Sequence, residues 1–323
     1  MFFEAYKSLI ELLPAQLEGP FGQQVGAKSN LWLALDTQGY PSLLVTTRLT
    51  DDRSDIELRS ISVQFSRACE ITTEEGENVA GTFTIVRLEE NDTDLVRLFL
   101  RLLEEAFDGN NTQLTNRLIG ERILEIAEIF RQIEISVKNV LGLWGELRLI
   151  KTATSRENAV RCWCQGRTAK YDFVCAGFAV EVKATLKPNR QHCFALEQLR
   201  PLDDSLKVFI ASAQLVQSPG GKAVFELIDE IVTEIADREL RKNFLNACVL
   251  KGGTDIYKSN ARYQFLSGDS AIAYYAAKDI PVPLVEPNGV ISNLRFDVCL
   301  DTLPRQDVGV ANEILNMCVS SRE

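Results

Sequence analysis

Apolar residues recur at helical spacing near the start of the chain, where Phe3, Tyr6, Leu9, Ile10 and Leu13 share one face over about residues 2–17 before Pro14 disturbs it. From Leu31 to Leu88 the pattern changes to short β-rich runs, Leu31–Leu35, Ser42–Thr47, Ile56–Phe65 and Gly81–Leu88. They are divided by the turn compositions Gly39-Tyr40-Pro41, Thr50-Asp51-Asp52 and Glu74-Glu75-Gly76. A small antiparallel sheet is predicted there. Asn91 and Asp92 offer N-cap chemistry for a helix carrying Leu95, Leu98, Phe99, Leu102, Leu103 and Phe107. After a break at Asp108-Gly109-Asn110-Asn111, a second helix runs from about Thr112 to Ile135. A third helix over Val137–Lys151, a strand near Ala159–Gln165, a hairpin around Lys170–Thr185, a helix containing Gln198 and a buried strand over Leu206–Leu215 follow. Ser218-Pro219-Gly220-Gly221 punctuates the chain before an amphipathic helix over Val224–Ile235 and another ending near Leu250. Strands at Tyr263–Leu266, Ala271–Ala277 and Leu294–Leu300 and a helix near Val308–Cys318 complete the pattern, with no internal repeat. The expected organisation is a β-rich region over 1–90, a helical connector over 91–136, a core over 137–216 and an α/β extension over 217–323.

The hairpin is the stretch richest in chemistry. Alternation places Phe178, Val180, Val182 and Ala184 on one face and Ala179, Glu181, Lys183 and Thr185 on the other. If Ala176-Gly177 is a two-residue turn, Cys175 pairs with Phe178, Asp172 falls opposite Glu181, and Lys170 faces Lys183. Opposed like charges destabilise a sheet unless something offsets them, and a bound divalent cation is one such offset. Two converging carboxylates suit Mg²⁺, which takes hard oxygen ligands and keeps several waters. A lysine beside that ion could orient or help deprotonate an attacking water, or stabilise negative charge developing on a phosphate. The bland alternative for Glu-x-Lys alone is a solvated ion pair on a half-exposed strand.

Composition narrows the chemistry. The chain has 323 residues, 46% hydrophobic and 25% charged, an ordinary globular balance. Its single histidine, His192, excludes multi-histidine metal sites and leaves at most one Ser-His or Cys-His pair, so carboxylates, lysine or oxygen-bound metal ions are expected to do the work. Eight cysteines are too sparse for a disulfide scaffold and mostly sit in apolar surroundings, so reduced core thiols are expected. A four-cysteine cluster from Cys162, Cys164, Cys175 and Cys193 lacks the usual spacing. Gly220-Gly221 and Gly252-Gly253 lack the context of a phosphate-binding loop. Glu4 precedes any basic start and no apolar run approaches the ~18 residues of a membrane span, so a soluble, cytoplasmic protein is expected. The net charge of −10 would repel nucleic acid. Residues 131–215, however, hold 13 Lys and Arg against 8 Asp and Glu, a net of +5, so the flanks carry −15.

Asp172 with Glu181-Val182-Lys183 nine residues on resembles the PD-(D/E)XK motif of the restriction-endonuclease-like superfamily, with Tyr171 where the motif's proline would stand. More closely, Gly142-Leu143-Trp144-Gly145-Glu146-Leu147, Tyr171-Asp172, Glu181-Val182-Lys183-Ala184-Thr185, His192 and Gln198-Leu199 resemble the PD-(D/E)XK motif proteins, a bacterial family associated with restriction-like, phage-defence genes. The resemblance implies an αβββαβ core over about 137–216, between the β-rich region and the C-terminal extension. It further implies a Mg²⁺- or Mn²⁺-dependent DNA endonuclease. In that reading Asp172, Glu181 and Glu146 hold metal, Lys183 is the catalytic lysine, and Gln198 is an auxiliary polar residue. Lys170, Arg190 and His192 are expected near substrate, His192 either on the scissile phosphate or merely capping a helix. Trp144 and Trp163 read as core packing rather than base platforms. Two other classes compete: a catalytically silent nuclease-fold subunit of a defence complex, and a metal enzyme acting on a small phosphorylated molecule. The β-rich region could bind DNA, a partner subunit or a second copy of the chain.

Overall fold

The computed structural model describes residues 2–317 except 18, 27–29, 48–52, 59, 108–113, 134–139, 165–168, 202–204, 254–255, 257–261, 267–271 and 285–292. The turn expected at 50–52, the break expected at 108–111 and Cys318 lie outside the described residues. The chain divides into two compact units, Met1–Ile135 and Ser136–Glu323.

In the first unit, α1 (Phe2–Leu12) precedes strands β1 (Phe21–Gln24), β2 (Leu31–Leu35), β3 (Pro41–Thr46), β4 (Ile56–Glu57), β5 (Ile61–Thr72) and β6 (Asn78–Leu88), and helices α2 (Thr93–Phe107) and α3 (Asn116–Ile133) follow. The strands form one sheet in the order β1-β2-β3-β6-β5-β4, and Phe21 of β1 also pairs with Thr72 of β5. Leu33, Leu35, Leu43, Val45, Val63 and Val86 are fully buried. The single strand expected over Ile56–Phe65 is in fact two, and its second half runs on to Thr72 with a bulge between Gln64 and Arg67 at Ser66, whose φ is 51°.

The second unit contains α4 (Val140–Thr152), α5 (Arg156–Cys162), β7 (Phe173–Cys175), β8 (Phe178–Thr185), β9 (Gln191–Ala195), α6 (Leu196–Leu199), β10 (Lys207–Ala223), α7 (Val224–Thr233), α8 (Arg238–Gly252), β11 (Arg262–Phe265), β12 (Ile272–Ala276), β13 (Arg295–Cys299) and α9 (Val308–Asn316). The long strand β10 organises it. One flank of β10 runs parallel to β8, which carries β7 in antiparallel register. The other is covered by β12 over Phe209–Ala213 and by β11 beyond Leu215. Strands of the C-terminal extension therefore complete the same sheet as the motif hairpin. Helix α4 closes on β8 at Gly145, where a Cβ would lie 3.2 Å from Val182 Cγ1 and 3.3 Å from Ala184 Cβ. The opposite face of β8 buries Ala179 with Phe194, Leu199, Val208, Ile210 and Tyr275.

Two expectations are corrected here. Over Ala159–Cys162 the expected strand is instead part of helix α5, because Ser155 caps it by accepting the Asn158 amide and Glu157 sits in its first turn. Trp163 keeps β character in one bridge to Phe173, and Gln165 lies outside the described residues. Ser218-Pro219-Gly220-Gly221 does not end an element. The four residues lie inside β10 as an irregularity, since Gln217 and Lys222 both pair with Tyr263.

Candidate active site

Gly177, at φ 81°, makes the tight turn that lets Cys175 pair with Phe178, Val174 with Ala179 and Phe173 with Val180. The ladder stops at Phe173, so Asp172 lies just before β7. Its carboxylate instead reaches across to the facing strand, where Asp172 Oδ2 accepts the Val182 amide at 2.8 Å. That bond holds Asp172 beside Glu181 more firmly than side-chain pairing alone would.

Glu181 is gripped from the other side by α6. The Ala195 amide at the start of that helix donates to Gln198 Oε1 (3.1 Å), which orients the side-chain amide so that Gln198 Nε2 donates to Glu181 Oε1 at 2.7 Å. Lys183 Nζ stands 2.8 Å from Glu181 Oε1 and 3.4 Å from Gln198 Oε1, above the ring of Phe194 at 5.4 Å. The motif's acid, lysine and auxiliary glutamine thus form one hydrogen-bonded group.

Glu146 is not the surface residue that its place on α4 would allow. It is 8% exposed, and its Oε2 accepts Trp163 Nε1 at 2.6 Å and Lys251 Nζ at 2.6 Å. Lys251 had no assigned role in the sequence reading. It extends from the last turn of α8, lies over the Trp163 ring at 4.8 Å, and approaches Asp172 Oδ1 to 3.7 Å.

Burial and crowding set the electrostatics. Withdrawal from water, reinforced by the Asp172 charge, pushes the Glu181 carboxyl up to about 7 against the pull of Lys183 and Gln198. Glu146 is likewise raised to about 7 by burial and by Asp172, with Lys251 and Trp163 pulling it down. Asp172 is itself raised by burial, opposed first by Lys251 and then by the Val182 amide. Lys251 is held protonated because Glu146 and Asp172 outweigh its own desolvation.

The remaining expected site residues fall elsewhere. Lys170 is exposed, with its ammonium 5.4 Å over the ring of Tyr171. Arg190 and His192 are 3% and 5% exposed. Arg190 Nη1 donates to Ser212 Oγ (3.1 Å) and to the Ser212 carbonyl, and His192 Nε2 lies 2.7 Å from Ser212 Oγ. His192 caps no helix: it lies in β9 and pairs with Val298 of β13. His192 in β9 and Arg190 just before it are thus tied to Ser212 of β10 in the interior. Desolvation, with Lys183 and Arg190 nearby, lowers His192 to about 4 and keeps it neutral. Trp144 and Trp163 are buried, as expected for core residues, and Cys162, Cys175 and Cys248 are buried cysteines outside any disulfide, whereas Cys193 and Cys299 are exposed.

Among the described residues, no group of three or more His, Cys, Asp or Glu side chains is gathered closely enough to hold a metal ion. Glu146 is taken up by Trp163 and Lys251. Asp172 and Glu181 remain as two hard-oxygen donors whose mutual repulsion a cation would relieve, a donor set that suits Mg²⁺ when water and phosphate complete its shell. On that chemistry the residues fit a divalent ion.

A mixed α+β fold with an Asp172–Glu181–Lys183 constellation on one hairpin defines a protein of the restriction-endonuclease-like, nuclease-like class. The family model described as "Putative PD-(D/E)XK family member, (DUF4420)" matches residues 23–300, and the chain belongs to that family. No curated protein and no solved structure matches the chain. Among the described residues no helix is long and apolar enough to cross a membrane.

Proposed function

We propose that this protein is a Mg²⁺- or Mn²⁺-dependent endonuclease that hydrolyses phosphodiester bonds in DNA. The observation that carries the reading is the hydrogen-bonded group of Glu181, Lys183 and Gln198 with Asp172 fixed beside it. Asp172 and Glu181 would hold the ion. When bound, it supplies Lewis-acid stabilisation of the charge that builds on the phosphoryl oxygens. Lys183 offers an ammonium for the same developing charge, already desolvated and aimed by Glu181. Gln198 is a positioning residue: it touches Glu181 and Lys183 and is itself fixed by the Ala195 amide. Glu146 acts one step further back, through Trp163 and Lys251. Cleavage of DNA in the cytoplasm, in a restriction or phage-defence setting, is the biological context proposed for this activity.

Incubating the purified chain with supercoiled plasmid and Mg²⁺ or Mn²⁺ tests the reading. Nicking or linearisation is expected, with loss of activity in Lys183→Ala and in Asp172→Asn. Cleavage that survives Lys183→Ala would refute the assignment. Divalent-independent DNA binding without any cleavage would instead favour a catalytically silent subunit.

A further inference from the structure

Lysine is almost never buried unless paired, because its ammonium loses hydration that only close anions can replace. Lys251 meets that condition in an unusual place. It sits at the C-terminal end of α8, where a cation is ordinarily favoured by the helix dipole and points to water. Here it turns inward, with 15% of its side chain exposed, across the face of Trp163. Its contacts come from separate parts of the unit: Glu146 on α4, Trp163 after α5, and Asp172 at the foot of the motif hairpin. The two ion pairs are unequal. The bond to Glu146 is short, at 2.6 Å, and the approach to Asp172 is loose, at 3.7 Å.

We propose that Lys251 is a built-in counter-ion of the site, a positioning residue that bridges Glu146 and Asp172 and competes with a divalent ion for Asp172. The proposal rests on the metal-dependent reading above and adds a residue outside the motif to it. The asymmetry of the two legs decides how it acts. Glu146 and the Trp163 ring keep the ammonium in place, while the longer leg to Asp172 is the one that yields. An ammonium retained beside an incoming divalent cation repels it, so the site binds metal more weakly than its carboxylates alone would. Metal affinity is then set by a residue 70 positions beyond Glu181 and carried on another helix.

Lys251→Met keeps the length and the packing over Trp163 while removing the charge. Calorimetric titration with Mn²⁺, without DNA, should show about tenfold tighter binding in Lys251→Met than in the unmodified chain. Melting in EDTA should fall in the variant, and the rise in melting temperature on adding Mn²⁺ should be larger than in the unmodified chain. Lys251→Arg keeps the cation and should stay within about twofold of the unmodified affinity. Asp172→Asn should abolish binding in every background. Equal or weaker Mn²⁺ affinity in Lys251→Met, with Asp172→Asn still abolishing binding, overturns the counter-ion role and leaves the nuclease reading standing. A tenfold gain in Lys251→Arg also overturns it, because charge would not be the cause. Absence of Mn²⁺ binding in the unmodified chain and in Lys251→Met alike overturns both readings.

Discussion

Glu181→Gln separates what the site does for stability from what it does for chemistry. The Glu181 carboxyl ordinarily titrates at 4.5 and is raised to about 7 in the folded chain. The folded state therefore holds its proton more tightly than the unfolded state does, so the stability this group contributes is complete below pH 4.5 and is lost as pH rises through about 7. A shift of that size, at about 1.4 kcal/mol per pH unit, makes ionised Glu181 destabilising by about 3 kcal/mol above neutrality. Glutamine has the same shape, can accept from Lys183 and Gln198 as Glu181 Oε1 does, and has no charge to bury. Urea unfolding in EDTA, followed through Trp144 and Trp163 in the same unit as the site, should find Glu181→Gln more stable by about 1 kcal/mol at pH 5 and about 3 kcal/mol at pH 8. Divalent ion should reverse the order, stabilising the unmodified chain and leaving the variant unmoved, while plasmid cleavage disappears. A variant that is less stable at pH 8, or a difference that does not grow between pH 5 and pH 8, would refute the argument that Glu181 is held ionised against its own burial.

Gln198→Ala removes the amide that orients both Glu181 and Lys183. It should lower the cleavage rate about 10- to 100-fold while far-ultraviolet circular dichroism stays unchanged. His192 is the single histidine, so its imidazole can be followed by proton NMR without assignment. It should remain neutral from pH 8 to 5 and titrate near 4, and because the unfolded chain takes up that proton first, the contribution of His192 to stability should fall by about 3 kcal/mol as pH drops from 6.5 to 4, read as the change in the stability difference between the unmodified chain and His192→Gln over that window, since Glu181 and Glu146 shift the total the other way. Gly145→Val should cost about 1–3 kcal/mol in urea unfolding and weaken cleavage with it, because the new side chain meets Val182 and Ala184 and drives α4, with Glu146, away from β8. An unchanged urea midpoint would mean that α4 does not rest on β8 at that glycine.

The motif hairpin was legible because its signals are local. Ala176-Gly177 fixes the turn, and once Cys175 pairs with Phe178 the parity of every later residue follows. Gln198 was singled out only through the family resemblance, and its bond to Glu181 depends on the Ala195 amide that orients it. Helix α5 was misread because Val160, Cys162 and Trp163 carry β propensity, whereas the Ser155 cap and the helical spacing of buried Ala159, Val160 and Cys162 decide the outcome. Arg190 and His192 are expected near substrate only through the resemblance, and nothing beside them in sequence signals that they are buried. Their partner, Ser212, lies on β10, and β9 itself pairs with β13, about 100 residues away. Lys251 gave no sign at all. A lysine before Gly252-Gly253 matches an ordinary helix C-terminus, and its inward turn depends on Glu146, 105 residues earlier. Contacts of that separation leave no periodicity for a single sequence to reveal.

The charge of the assembled group explains why such a site would need its metal before its substrate. Glu146, Asp172 and Glu181 against Lys183 and Lys251 sum to −1 when all five are ionised, the wrong sign for a phosphodiester. One divalent ion turns that to +1 without any change of fold. The wider chain works in the same direction only weakly, since a segment of +5 is embedded in a protein of −10. In the proposed enzyme, then, attraction to DNA comes from the loaded site and its near surroundings rather than from the protein's overall field. The isolated chain should bind DNA weakly, with affinity that falls steeply as salt rises and improves when Mn²⁺ or Ca²⁺ is added. Fluorescence anisotropy of a labelled duplex measures both dependences. Tight, divalent-independent binding at physiological salt would place the attractive charge outside the group around Asp172 and Glu181.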